Sequence, residues 1–356
     1  MTTEKCLPPA KRVRLNGAAG PSLPVLNREE YLSKLEAVVS PMVNVAAMYS
    51  SLVNGIITDK ALMSIPIHDH AVVRGHAVFD TCSVAKGALY RVDIHLDRHL
   101  ESAEKARIPF PFGVTKQENK DRMRSIIAQT VVASGLRDAN VRYYMTAGPG
   151  NFGVTPKGCT PGWYVVVFTG NVVDVGAEMK GHADFTVDVP LKPAFLATLK
   201  SNNYLLNTLT KMASEDKGGS YGILVDEKGC IAESCVLNVA FVTKDRRLIT
   251  PRFTHILNGT TVRRAMVLAE KLIAEGLLTQ VSQEDVPVAT ARESVEMMLF
   301  GGDTHVMAIT QWDGSPVGSG KVGDVAKCLE KLLLDDMSSG TEDHYELEYP
   351  TDSSKL

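Results

Sequence analysis

Three short segments carry residues with chemical potential. Lys200 stands in AFLATLKSNNYLLN, between an apolar stretch and a Ser-Asn-Asn segment that opens a helix. In partly apolar surroundings a lysine loses some preference for its charged form, and the neutral amine can attack a carbonyl to form a Schiff base. On that segment alone, a surface lysine flanking a helix is the better reading. Glu233 lies in GCIAESCVLNVAFV, among apolar residues with no local partner. A buried carboxylate needs a cation or hydrogen-bond donors. Gly259-Thr260-Thr261 opens a helical pattern in ILNGTTVRRAMVLAEKL. Backbone N–H groups at a helix start, with Thr hydroxyls beside them, suit a phosphate.

An amine nucleophile, a buried carboxylate and a phosphate cradle are the parts that a pyridoxal-phosphate (PLP) site uses. L-K-S-x-N-Y around Lys200, I-A-E-x-x-x-x-N around Glu233, and L-N-G-T-T-x-R resemble the fold-type IV PLP enzymes. PIHDHAVVRGHAVFDTC and IHLDRHLESAEKARIP extend the resemblance, which runs from about Tyr49 to the final helix. Through YSSLVNGIITDKALMSIP the chain is most similar to plant-type D-amino-acid transaminases.

The resemblance implies an α+β, two-domain fold with PLP in the cleft between domains. It also implies a homodimer whose subunits both contribute to each site. Lys200 would carry the cofactor and shuttle a proton between substrate Cα and cofactor C4′. Glu233 would face the pyridine nitrogen. Arg98, with the amides of Thr260 and Thr261, would bind the phosphate. Tyr204 would contact the phenolic oxygen, and a backbone N–H near Gly302 would serve the phosphate. Helical spacing alone makes Arg98 a solvated arginine, because Leu96, Leu100 and Ala103 form the apolar stripe and Arg98 lies nearly opposite.

The expected reaction is ping-pong transamination of D-amino acids such as D-alanine, D-aspartate or D-glutamate with 2-oxo acids. The alternatives are a branched-chain L-amino-acid aminotransferase, an aminodeoxychorismate lyase and a cofactor-free binding scaffold. Two departures bear on this. Bacterial D-amino-acid enzymes hold the substrate carboxylate with an arginine in T-R-G, where this chain has Thr146-Ala147-Gly148. Gly301-Gly302 replaces a Gly followed by Thr or Ser.

Other motifs are weaker. Gly148 to Gly153 matches G-x-G-x-x-G, but VTPKGCTPG follows, so no helix can start there and a loop between strands is expected. His68, Asp69, His70, His76 and Asp80 crowd a short stretch; polar residues near a turn at Arg74-Gly75 explain them better than a metal site. No G-x-S-x-G, P-loop or kinase signature is present.

The elements that must position these residues can be read from periodicity. Helices are expected over Glu29–Val39, 95–107, 115–134, from about Asn203, over Thr260–Glu275 and over 322–337. Strands are expected at 43–50, 51–59, 88–93, 140–148, 162–170, 183–189, 221–226, 237–243, 246–250, 296–302 and 305–310. The expected organisation is a tail over 1–26, a small α/β domain over 27–169, a linker over 170–182, a large PLP-binding domain over 183–337 and a mobile acidic tail over 338–356.

The chain has 356 residues, is 44% hydrophobic and carries a net charge of −3, which argues against a broad nucleic-acid footprint. No apolar run reaches the roughly 20 residues of a membrane span. The six cysteines, without CxxC spacing, read as reduced thiols. Lys11-Arg12-Val13-Arg14 resembles a nuclear-import signal, though a solvated basic tail is the better reading. Ser354-Lys355-Leu356 matches a peroxisomal address and makes an import receptor an expected partner, with the cytoplasm as the alternative location.

Overall fold

The computed structural model describes residues 23–39, 44–170, 178–302, 305–339 and 343–350. The basic cluster at 11–14, most of the expected linker and the Ser-Lys-Leu tripeptide lie outside them.

The first layer comprises helix α1 (Arg28–Val39), strands β1 (Val45–Ser50) and β2 (Gly55–Ile57), helix α2 (His70–Arg74) and strands β3 (Ala77–Ala85) and β4 (Ala88–Tyr90). Helices α3 (Val92–Lys105) and α4 (Lys116–Ser134) follow, then strands β5 (Ala139–Thr146) and β6 (Gly162–Phe168). The second layer begins with β7 (Gly181–Asp184), α5 (Ala194–Ala197), α6 (Leu205–Glu215), β8 (Ile223–Val225), β9 (Ile231–Ser234), β10 (Asn238–Val242) and β11 (Arg247–Thr250). It continues with α7 (Thr260–Ala274), β12 (Gln280–Gln283), α8 (Val288–Arg292), β13 (Glu296–Gly301), β14 (His305–Trp312), β15 (Ser315–Pro316) and α9 (Asp324–Ser338). A last strand, β16 (His344–Glu346), ends the described secondary structure.

The first sheet is antiparallel throughout, in the order β16-β4-β3-β5-β6-β1-β2. Strand alternation decides its faces. Val78, Cys82 and Val84 of β3 and Val141, Tyr143 and Met145 of β5 enter one core with Leu96, Leu100, Met123 and Ile127 of α3 and α4. Helix α4 starts on a capping box, with Thr115 and Glu118 exchanging backbone bonds, and stops at left-handed Gly135.

The second sheet runs β12-β11-β10-β13-β14-β15, with β7 added parallel to β14. Helices α7 and α9 cover one face through Ala265, Leu268, Leu329 and Leu333. On the other face Val239, Phe241, Leu299 and Trp312 pack with Ile223 and Ile231 of the β8–β9 pair. Covered on both sides, β10 is buried at all five positions.

Several expectations change: the strand expected over 88–93 stops at Tyr90, because left-handed Arg91 opens α3 at Val92, and β7 begins inside the expected linker. The strand expected over 51–59 shrinks to Gly55–Ile57, because the Asn54-Gly55 pair ends a turn with Asn54 at φ 45°. The strand expected over 183–189 stops at Asp184. This buried carboxylate accepts from Ser214 Oγ at 2.6 Å and from the amides of Phe185 and Gly222 at 2.9 and 2.7 Å, which pulls the chain out of the ladder. The acidic segment expected to be a mobile tail is in part structured. His344–Glu346 pair with β4, and Tyr345, Leu347 and Tyr349 pack on the first core; Arg124 and Arg137 lie over the two tyrosine rings.

The G-x-G-x-x-G stretch is a loop between β5 and β6, as its prolines require. Gly148 sits at φ +93°, and a Cβ there would stand 1.7 Å from the Thr160 carbonyl oxygen. Gly148→Ala is expected to destabilise the protein by at least about 2 kcal/mol in urea unfolding, since a strained backbone must also shift. An unchanged midpoint would mean that this loop takes another course in solution.

Candidate active site

Lys200 is held along β3. Phe79 N donates to Lys200 O at 2.9 Å, Asn202 N donates to Ala77 O at 3.2 Å, and Lys200 N donates to Ser102 Oγ at 3.3 Å. This backbone pairing fixes the root of the side chain, whose Nζ lies 4.9 Å from the centroid of the Phe79 ring. Burial, then the nearby Arg98 cation, depresses the amine to about 8. A lysine so placed is a nucleophile near neutral pH.

The amine opens on a cavity of about 450 Å³ between the two layers. Alternation puts Phe79 and Thr81 of β3 and Arg142 and Tyr144 of β5 on its wall, opposite the residues that enter the first core. Arg142 Nε donates to Thr81 Oγ1 at 3.0 Å, and its guanidinium lies 5.4 Å from the Phe79 ring centroid. Tyr204 packs edge-on to Phe79 at 5.2 Å and lies under Lys192 Nζ at 4.8 Å.

Arg98 is not the solvated arginine that helical spacing suggests. Its side chain is 13% exposed, and Nε and Nη2 donate to Asp80 Oδ2 and Oδ1 at 2.8 and 2.7 Å. Its Nη1 donates to Asn258 O, across the layers, at 3.2 Å. Asp80 is fully buried on the helix-facing side of β3 and also pairs with His95 Nδ1 at 3.0 Å. Burial alone would raise the Asp80 carboxyl; Arg98 and His95 override it and hold the group well below the usual carboxylate range. The position of Arg98 on α3 cannot reveal this, because its cover comes from a strand and from the second layer.

The opposite end of the cavity is the start of α7. Thr260, Thr261 and Gly259 line it together with Gly301 and Gly302. No side chain caps this helix, so its first N–H groups face the cavity side without a capping oxygen. Gly259 is closely confined: a Cβ would stand 1.9 Å from Asn238 Oδ1, so that side chain would have to move. Gly302 has no such constraint, because a Cβ there would meet nothing within 4 Å.

Glu233 stands on β9 and accepts from Leu257 N at 3.3 Å. Burial pushes its carboxyl up to about 7, against the Leu257 amide and the Lys192 and Lys200 cations. It lines a smaller pocket with Lys192 and Asn207, beside the main cavity. The structure therefore brings Lys200, Arg98, Tyr204, Thr260, Thr261 and Gly302 to one cavity and sets Glu233 at its flank.

Sequence reasoning missed Arg142 as a site residue and treated Asp80 as one of a polar cluster. A signal for Arg142 existed: with Tyr144, it occupies the polar-facing parity of NVRYYMT. The rest of the His/Asp cluster is architectural. Asp69 caps α2 through Ala71 N at 2.8 Å and accepts from the hydroxyls of Thr146 and Tyr164, each at 3.0 Å. Among the described residues no group of three or more His, Cys, Asp or Glu is arranged for a metal.

These residues fit a phosphorylated aldehyde. An uncapped helix start with a glycine cradle and an arginine suits the phosphate, a depressed lysine suits the carbonyl, and a carboxylate suits a ring nitrogen.

Asp80→Asn is expected to cost roughly 3–5 kcal/mol at pH 7, because it strands Arg98 without its buried partner. The native carboxyl lies below its unfolded value, so this stabilisation is present above pH about 4 and is lost only as pH falls further. Urea unfolding at pH 7 and pH 3 checks both points; equal stability of the two proteins at pH 7 would refute the role.

The family model for amino-transferase class IV matches residues 77–312. The chain is 44% identical to a chloroplastic D-amino-acid transaminase of Arabidopsis thaliana over 298 residues, covering 83% of this chain and 77% of that protein. It is 24% identical to a D-alanine aminotransferase of Bacillus licheniformis, covering 82% and 98%. A solved branched-chain amino acid aminotransferase of T.th., complexed with N-(5'-phosphopyridoxyl)-L-glutamate, has the same fold, with TM-score 0.75 at 21% identity over 85% of this chain and 97% of that one. The chain belongs to the class IV aminotransferases, a family whose cofactor is pyridoxal 5'-phosphate.

Proposed function

We propose that this protein exchanges amino groups between D-amino acids and 2-oxo acids, with D-alanine as first donor and 2-oxoglutarate as acceptor. The observation that carries the reading is the cavity in which the Lys200 amine, Arg98 and the open start of α7 meet. The preference for D-amino acids rests on the 44% identity to the plant enzyme.

Bound pyridoxal phosphate supplies an electron sink for the pair left at Cα. The chain's own residues do the rest. Lys200 would carry the cofactor through its amine, and the same amine, when free, would take the Cα proton. The first turn of α7 and Arg98 would hold the phosphate, with Asp80 fixing the guanidinium plane. Glu233, at the flank of the cavity, would pair with the ring nitrogen, and Tyr204 walls the Lys200 side. Arg142, tied to Thr81, is the cation for a substrate carboxylate, the task left open by Ala147.

A branched-chain L-aminotransferase is the second reading, favoured by the apolar lining of Phe79, Val236 and Phe300. We also propose a homodimer. Leu205, Leu209 and Met212 leave an apolar stripe exposed on α6, and such surface is normally covered.

Capture of PLP by the apoprotein, followed by absorbance, should speed up as pH rises, with a midpoint near 8. Only the neutral amine attacks, so the rate grows as Lys200 loses its proton. Lys200→Ala should abolish turnover and leave the unfolding midpoint within a few degrees. A capture midpoint near the ordinary lysine value of about 10.4 would contradict the depressed amine. Turnover by the variant would remove the mechanism.

Parallel assays with D-alanine, read as pyruvate, and L-leucine, read as glutamate, each with 2-oxoglutarate, test the substrate. Turnover with D-alanine is the expected result. Turnover with leucine alone would establish the second reading, and a cofactor band with neither activity would point to the lyase.

A further inference from the structure

The cradle is assembled from two layers, so something must hold the start of α7 opposite Arg98. One tie is direct, from Arg98 Nη1 to Asn258 O. A second is built around Asp336 near the end of α9. Its carboxylate is buried and meets both layers. From the first, Tyr90 Oη of β4 donates to Oδ2 at 2.5 Å. From the second, Arg264 Nε donates to Oδ2 at 2.9 Å and Nη2 to Oδ1. Arg264 lies one helical turn after Thr260, on the same side of α7. Tyr90, Thr260, Thr261 and Arg264 also line one small cavity, which shares Thr260 and Thr261 with the main one.

The chain that leaves α9 reinforces this junction. Arg91 N donates to Asp343 O at 2.8 Å, and its Nε pairs with Asp343 Oδ2 at 3.3 Å. The His344 ring lies 5.2 Å from that of Tyr90 and bonds back to Met337 O at 3.0 Å. Tyr345 Oη donates to Asp93 Oδ2 at 2.8 Å. The strand β16 is thus pinned to β4 and to the first turn of α3, the helix that carries Arg98.

We propose that Asp336 is a positioning residue for the cofactor phosphate: with Tyr90 and Arg264, and backed by β16, it fixes the first turn of α7 against Arg98. The proposal rests on the reading that the phosphate binds there. Asp336 does not itself line the main cavity. Its effect passes through the register of α7, and anion binding by several donors depends on their mutual placement.

The test compares PLP with pyridoxal, which has the same aldehyde and no phosphate. Dissociation constants for both are measured by absorbance on full-length wild type, Asp336→Asn and Tyr90→Phe, after the cofactor is stripped. The expected result is a loss of roughly tenfold in PLP affinity for Asp336→Asn, with pyridoxal affinity kept within about twofold. Tyr90→Phe removes one hydroxyl and should lose about threefold for PLP only. Retained pyridoxal binding shows that the fold and Lys200 are intact. Unchanged PLP affinity in both variants, or equal losses for both compounds, would overturn the proposal. Should Asp336→Asn fail to fold, Tyr90→Phe decides by the same comparison. Wild-type protein that holds pyridoxal as tightly as PLP would overturn the phosphate reading itself, and the proposal with it.

Discussion

The ion pair between Asp80 and Arg98 is the constraint on which the site depends. A carboxylate with no solvent exposure is tolerable only when cations and donors satisfy it. Asp80 takes both forks of Arg98 and one nitrogen of His95. In return it orients a guanidinium whose Nη1 reaches the second layer and which keeps two further N–H groups unused by these bonds. A lysine in place of Arg98 would lack the planar fork that this geometry uses. The pair is therefore as much a device for aiming charge as a source of stability.

Around that pair, each layer contributes what its own geometry makes easy. The first sheet offers alternation: one parity of β3 and β5 fills the core, and the other gives Phe79, Thr81, Arg142 and Tyr144 to the cavity. The second layer offers a helix start whose N–H groups lack a side-chain cap. The Lys200 segment lies along the edge of β3, which places the nucleophile between these two kinds of surface. Cationic neighbours and burial then act on Lys200 in the same direction, against the charged amine.

Much of this was legible in the residues. The helices at 28–39, 116–134, 260–274 and 324–338 follow from apolar spacing, caps and breakers. Lys200, Glu233 and the Thr260-Thr261 helix start were legible only in combination and through the family resemblance; alone, the Lys200 segment reads as a surface lysine. What stayed hidden depends on contacts between distant segments. Arg98 looked solvated because its partners are 18 and 160 residues away. Asp184 ends its strand because Ser214, Tyr221 and Gly222 converge on it, which no local pattern shows. The strand at 344–346 sits in an acidic, Pro-containing segment with little strand propensity, and its pairing with β4 and its tyrosine contacts decide the outcome.

That last strand has a consequence for synthesis of the chain. β16 completes the first sheet, yet it is made about 250 residues after its partner β4. At ordinary elongation rates this interval is roughly ten to fifty seconds. Throughout it, the edge of the emerging first layer is the three-residue β4, a short strand of the kind that exposed edges tolerate. The outermost strand on this side of the sheet is thus added only after the second layer has been made, and until then β4 is the sheet's edge.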